Sequence, residues 1–302
     1  LHGPGSVLYG QSSPGGLINL VTKKPTTDEI HEVEVSGGSF ERKQAATDHG
    51  GRLLEDGSLS YRFVAVVRDS ETMVDYIPDD RVFFAPGVAW RMGEDTTVTL
   101  SGEYSKTETM YYYGFPDVGT VNANPNGDIP RNRFLGEPDF NRWDRETKTV
   151  GLEFEHDFSD DLKFSQNFRY SAFENDYGDI YFGSYNGAQT TVTRGAYSRA
   201  DRSDIAALDT RLQGNLDFGT VRNEITGGVD WQRTNFSRVQ YNGTVAGLNL
   251  YAPVYGSPVT LGATPGTDSD QSSEQIGLYA QDHVKLGDHV RLLFGGRHDW
   301  TE

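Results

Sequence analysis

Ser58-Leu59-Ser60-Tyr61-Arg62-Phe63-Val64-Ala65-Val66-Val67-Arg68 repeats with a period of two. Leu59, Tyr61, Phe63, Ala65 and Val67 fall on one side of an extended chain, and Ser58, Ser60, Arg62, Val64, Val66 and Arg68 on the other. The same alternation returns down the sequence. Val98, Leu100, Gly102 and Tyr104 interleave with Thr97, Thr99, Ser101 and Glu103. Val150, Leu152, Phe154 and Phe158 oppose Gly151, Glu153, Glu155 and Asp157, and Leu162, Phe164, Phe168 and Tyr170 oppose Lys163, Ser165, Asn167 and Arg169. Later segments carry Leu208, Leu212, Leu216 and Phe218, then Ile225, Val229 and Trp231, then Ile276, Leu278, Ala280, Val284 and Leu286, and last Val290, Leu292, Phe294 and Trp300. The pattern predicts an all-β chain of about eleven strands.

Strands with one apolar face have two explanations. In a soluble sandwich that face is the core. In a membrane barrel it meets lipid, while the polar face lines a wet bore. The connections decide between them. After a first break at residues 37–41, short breaks at 54–57, 92–95, 159–161, 219–220 and 287–288 alternate with long polar stretches at 70–80, 113–144, 176–201 and 237–272. A meander sends alternate connections to opposite ends, so one end is trimmed and the other carries large loops. Soluble domains seldom tolerate several connections beyond about 12–15 residues. The segments also reach the roughly 9–11 residues that a bilayer-spanning strand needs. Aromatic residues gather near segment ends (Tyr104, Phe158, Tyr170, Phe218, Trp231, Trp300), as an interfacial girdle requires. These signals predict an antiparallel transmembrane β-barrel.

Composition agrees. The 302 residues are 35% hydrophobic, 12% aromatic and include 35 glycines, and mean hydropathy is −0.59. No stretch approaches the roughly 18 apolar residues of a spanning helix. A net charge of −17, from 27 Lys+Arg against 44 Asp+Glu, argues against a nucleic-acid partner. With no cysteine, the chain has neither a disulfide scaffold nor a thiolate metal site. The chain opens at Leu1 without a signal peptide and stops at Glu302 inside an alternating segment, so it reads as an excerpt of a longer protein.

Several chemical motifs fall away. Asn122, Asn124, Asn126 and Gly127 imitate the start of a calcium loop, but its twelfth position is Arg133. No His-Glu-x-x-His pair and no G-x-S-x-G elbow is present. The glycine-rich opening is not a phosphate loop, because no Gly-Lys-Ser/Thr follows it.

That opening, GPGSVLYGQSSPGGLINLVTKKP, resembles the end of the plug domain of TonB-dependent outer-membrane siderophore receptors. Its matching positions are Gly3, Pro4, Ser6, Leu8, Tyr9, Gly10, Pro14, Gly15, Gly16 and Asn19. Further stretches, among them YYGFPDVGTVNANPNGDIP, GEPDFNRWDRETKTVGLEFEHDF, GVDWQR, LNLYAPV and IGLYAQDHVKL with FGGRHDW, are similar to the first half of that family's barrel. The resemblance implies residues 1–28 as the tail of the plug and residues 29–302 as the first half of a 22-stranded barrel. It implies no enzymatic activity and a Gram-negative outer-membrane location. Its partners would be a ferric siderophore, the TonB energy-transducing protein and outer-membrane lipid. The likeness is greatest to the ferrichrome-type, hydroxamate branch, whose site is built from aromatic side chains. By motif, Tyr113 and Phe115 match a ligand-contacting pair, Phe115 standing where tryptophan is expected. Tyr181 and Tyr241 fall near further aromatic contacts. Iron would arrive only inside the siderophore, leaving the receptor with no cofactor and no metal ligands of its own. Receptors of this architecture for cobalamin, haem or glycans, and a soluble carbohydrate-binding β-domain, are the alternatives. Lumen charges at Glu153, Arg169, Asp209, Arg211, Asp230 and Arg297 would hold a plug or simply solvate the bore.

Overall fold

The computed structural model describes residues 21–287 and 289–302. The motif positions from Gly3 to Asn19 lie outside the described residues. Twelve strands form a single antiparallel sheet: β1 (Ile30–Gly37), β2 (Lys43–Arg52), β3 (Leu59–Asp69), β4 (Asp79–Met92), β5 (Thr96–Thr109), β6 (Arg142–Ser159), β7 (Leu162–Tyr185), β8 (Thr191–Asp217), β9 (Val221–Asn249), β10 (Thr260–Leu261), β11 (Thr267–Leu286) and β12 (Val290–Thr301). Sequence neighbours pair in order, except that two-residue β10 sits beside β9, off the main path. The eleven-strand meander matches the periodicity.

Register follows the apolar alternation, because a slip of one residue would move every side chain to the wrong face. One row runs Tyr61, Val88, Leu100, Leu152, Phe168, Leu208, Trp231, Ile276 and Trp300 across β3 to β12. The adjacent row of opposite parity runs Arg62, Gly87, Ser101, Gly151, Arg169, Ala207, Gln232 and Gln275. Leu152 is 44% exposed and Leu100 59% exposed. A soluble sandwich would cover such a face with a second sheet, and among the described residues none exists. The apolar row is the face that meets acyl chains.

Strands β7, β8 and β9 run 24, 27 and 29 residues, far beyond what a bilayer needs. Their apolar face changes character partway along. On β7, Phe168 and Tyr170 give way to Glu174; on β8, Leu208 gives way to Asp204 and Arg202; on β9, Trp231 gives way to Arg233 and Asn235. Beyond that line the strands stand clear of lipid. Residues 176–201 and 237–272 read as loops in the sequence, yet β7 continues to Tyr185, β8 starts at Thr191, β9 continues to Asn249 and β11 starts at Thr267. Outside the membrane neither face must be apolar, so the period-2 signal fades while the backbone ladder persists.

Well-buried apolar side chains sit at this projecting end. Ile129, Leu135, Val192, Leu248 and Leu250 form one cluster, joined by Tyr112, Phe115, Phe182, Tyr185, Tyr251 and Tyr255. Val74, Ile77 and Phe134 form a second. Together they fix the 110–141 connection against the extensions of β7 to β9. At the opposite end of the chain's path, residues 23–26 cross the polar face: Lys23 Nζ lies 2.6 Å from Asp48 Oδ2, Lys24 pairs with Glu153, and Pro25 packs on Gly87.

Candidate functional site

Six aromatic rings converge on the polar face of the projecting strands. Tyr177 and Tyr181 come from β7 and Tyr197 from β8. Trp143 opens β6, and Tyr111 and Tyr113 follow the end of β5. Tyr177 and Tyr181 share the parity of Lys163, Asn167 and Arg169, which places them on the bore side. Ring centroids are 4.9 Å apart for Tyr111 and Tyr113, 5.6 Å for Tyr111 and Trp143, 5.4 Å for Tyr177 and Tyr197, and 6.4 Å for Tyr113 and Tyr181. These separations are in the range where tilted and edge-to-face pairs attract. The phenol end of Tyr181 lies against Gly195, where an added Cβ would come within 2.4 Å of it. A side chain at that position would therefore displace it.

A polar network supports the rings from below. Trp143 Nε1 donates to Asn175 Oδ1 at 2.8 Å, and Asn175 Nδ2 donates to Asp201 Oδ2 at 3.1 Å. Arg238 Nε donates to Asp201 Oδ1 at 2.7 Å, and the Arg145 guanidinium lies 4.3 Å over the Trp143 ring. Hydroxyls form a second chain. Tyr113 and Tyr197 hydroxyls are 2.8 Å apart, Tyr197 donates to Tyr177 at 3.2 Å, and Tyr177 donates to Asp179 Oδ2 at 3.1 Å. Asn141 Nδ2 donates to Asp179 Oδ1 at 2.8 Å. Burial pushes the Asp179 carboxyl up to about 7 against the lowering effect of its donors. Burial, then the Tyr197 hydrogen bond, holds the Tyr113 hydroxyl well above its ordinary value.

The candidate residues divide. Tyr113 and Tyr181 stand together on the bore side and are 44% and 43% exposed. Phe115 does not join them: Gly114 adopts a φ of +81°, which breaks the alternation and turns Phe115 onto Tyr112, 5.5 Å away in the loop cluster. Tyr241 pairs with Ser198, in the row of Gly178 and Arg142, so it takes the opposite face. Tyr111, Trp143, Tyr177, Tyr197 and Asp179 were not singled out from the sequence. Reading 176–201 as a hairpin would have put Tyr177, Asp179 and Tyr181 on one face.

A buried clasp fixes the wall behind the rings. Arg194 and Glu137 pair at 2.5 Å with side chains 0% and 3% exposed. Arg194 also donates to the carbonyls of Leu135, Gly136 and Ala246, and Glu137 Oε2 accepts from the Gly256 and Ser257 amides. Lower in the bore, Arg297 joins Asp230 and Asp299, and Tyr279 donates to Asp209 at 2.6 Å. Among the described residues no three His, Asp or Glu side chains converge as a ligand set for a metal.

Comparison with known proteins places this architecture. Residues 89–302 match the family model described as TonB dependent receptor-like, beta-barrel. The chain is 31% identical over 328 residues to the ferrichrome outer membrane transporter/phage receptor of Escherichia coli (strain K12), covering 100% of this chain and 44% of that protein. It is 29% identical to the ferrioxamine B receptor of Salmonella typhimurium, covering 99% of this chain and 42% of that one. The chain thus spans less than half the length of these relatives. Among solved structures, the open form of the ferric-catecholate import receptor Fiu from E. coli K12 superposes with a TM-score of 0.90 at 22% identity, over 99% of this chain and 48% of that one. FpvA of Pseudomonas aeruginosa, bound to pyoverdine, gives a TM-score of 0.85 at 22% identity over 98% and 44%. The barrel topology, the lipid-facing row and the family match converge: the chain belongs to the TonB-dependent receptor β-barrel family.

Proposed function

We propose that this chain is the plug tail and first barrel half of an outer-membrane receptor that imports ferric siderophore, of hydroxamate type, by TonB-coupled active transport. Residues 1–28 end the plug, and residues 29–302 supply the wall. The observation that carries this reading is the group of six aromatic rings gathered on the bore side, above the lipid-facing belt. A siderophore already satisfies its iron with oxygen ligands, so its receptor needs π-faces and hydroxyls, which is what Tyr113, Tyr181 and Tyr197 offer. In this reading Phe115 contributes indirectly, through the loop packing, and Tyr241, on the opposite face of β9, stands outside the aromatic group. The names of the relatives, receptors for ferrichrome and ferrioxamine B, point to the same ligand class.

The test is a titration of the full-length receptor with ferrichrome and with ferrioxamine B. Replacing both Tyr113 and Tyr181 by Ala is expected to cost about 2 kcal/mol or more of binding, roughly a 30-fold rise in Kd, the size usual for central aromatic anchors. Folding, read from heat-modifiable gel migration, should persist, because both side chains are exposed. Equal affinities for the variant and the parent would remove the aromatic group from the site.

A further inference from the structure

Three tyrosine hydroxyls and one buried carboxyl form a single-file chain, and the direction of such a chain is decided at its end. Asp179 is 1% exposed. When ionised it has no proton, so Tyr177 must donate to it. The one Tyr177 proton is then used, and its oxygen accepts from Tyr197. The Tyr197 proton is used in turn, so across the 2.8 Å contact Tyr113 has to be the donor. Tyr113 is 44% exposed toward the bore and is left with lone pairs only. When Asp179 is protonated the order reverses. Its Oδ1 stays committed to Asn141, so the proton sits on Oδ2 and is donated to Tyr177. Tyr177 donates to Tyr197, Tyr197 donates to Tyr113, and the Tyr113 proton is free to point into the bore.

We propose that Asp179 is a positioning residue that sets the hydrogen-bond polarity of Tyr113 through Tyr177 and Tyr197, so that the site offers a proton to a ligand oxygen only when this carboxyl is neutral. The proposal rests on the siderophore reading and narrows it. The favoured ligand presents carbonyl or hydroxamate oxygens at Tyr113, and binding it takes up a proton. Burial pushes the carboxyl up to about 7, so both orders are populated near neutrality. The charged side chains on the surrounding elements are paired, and one of them, Arg199, also lies 4.9 Å over the Tyr177 ring. Arg142 on β6 pairs with Asp176, Glu137 with Arg194, and Arg199 on β8 and Arg238 on β9 both pair with Asp201. The other titratable groups against the chain are the Tyr111 phenol, which packs on Tyr113 and Tyr177, and the Tyr181 phenol, which packs on Tyr113 and Tyr197. Asn at position 179 would accept from Asn141 and donate to Tyr177, fixing the acid-side order at every pH.

The experiment has a ligand-free arm and a binding arm, both on the full-length receptor. In the first, infrared difference spectra should show a protonated-carboxyl band that titrates near neutrality and is lost in Asp179→Asn. The tyrosine C–O band, which reports whether a hydroxyl donates or accepts, should shift at the same midpoint in the parent protein but not in Asp179→Asn or Tyr177→Phe. In the second, affinity for ferrioxamine B should rise as pH falls through that midpoint, by a factor of roughly 3–10, the worth of one hydrogen bond. Asp179→Asn should hold the acid-side affinity on both sides, and Tyr177→Phe should lose the pH dependence. A tyrosine band that ignores the Asp179 titration, or a parent pH profile unchanged in Asp179→Asn, overturns the proposal. Spectra that behave as described in a receptor that binds neither ferrioxamine B nor ferrichrome uphold the proton order and sink the siderophore reading instead.

Discussion

Arg194→Ala is expected to free the 110–141 connection from the projecting strands, at a cost of about 3–5 kcal/mol, the range for breaking a buried ion pair by removing one partner. The reason is the state in which it leaves Glu137. That carboxylate is 3% exposed, and without the guanidinium it keeps only the Gly256 and Ser257 amides as donors. The carbonyls of Leu135, Gly136 and Ala246 lose their donor at the same time. Lys at the same position should recover little, because one ammonium cannot reproduce a planar fork that serves four acceptors. The loss is local, since the substitution removes side-chain bonds only and leaves the backbone pairing of position 194 with β7 and β9 in place. Hydrogen exchange should therefore accelerate across residues 115–141 and 250–260, while the amides of β3 to β6 stay protected. Limited proteolysis at Arg131 and Arg133 provides a second readout. Unchanged protection of the connection in the variant would show that Arg194 does not organise it.

A second large effect is expected in the middle of the wall. Leu152→Arg places a charge on the apolar face of β6, between Leu100 and Phe168 and well inside the band that ends at Lys148. A cationic side chain near the bilayer midplane costs about 2–4 kcal/mol in barrels of this kind. Asn167→Arg, on the polar face of β7 opposite Glu153, introduces the same charge into a wet environment and should stay within about 0.5 kcal/mol. Folding of the full-length receptor into vesicles, followed by guanidinium titration, compares the two. Equal stabilities would mean that the apolar row does not face lipid, and the barrel assignment would fall.

The contrast between these two predictions mirrors what a reader of the sequence could find. The membrane-level wall was legible because the environment enforces period two. Leu59 to Val67, Val98 to Tyr104 and Leu162 to Tyr170 can be assigned to faces by inspection, and the paired register agrees. Above the lipid, Glu174, Arg202 and Asn235 occupy the same parity as Phe168, Leu208 and Trp231, so composition no longer marks a face and 176–201 reads as a loop. The candidate site inherits this division. Tyr113 and Tyr181 were visible through a motif and a neighbouring stretch, whereas Tyr197 and Asp179 depend on a hairpin whose pairing leaves no apolar trace. Phe115 illustrates a finer limit. Alternation puts it beside Tyr113, but a single left-handed residue, Gly114, sends it to the other side. The Arg194–Glu137 clasp joins positions 57 residues apart, with no local signal at either one.

The attachment of residues 23–26 has a mechanical consequence. Lys23, Lys24 and Pro25 touch β2, β6 and β4 at successive points along the chain, and the two ammonium groups remain more than half exposed. The Lys24–Glu153 pair is open enough to water to be worth about 0–1 kcal/mol, while Asp48 is buried and already held by Arg62, so that carboxylate stays paired when Lys23 leaves. Tension applied from the N-terminal side would rupture these attachments one at a time, as adhesive tape lifts from a surface, so the peak force would be that of a single weak bond. The load would then arrive at β1, whose eight paired positions with β2 share it. Detachment of the leading segment is cheap, and the first ladder is the brake that keeps the wall from unravelling after it.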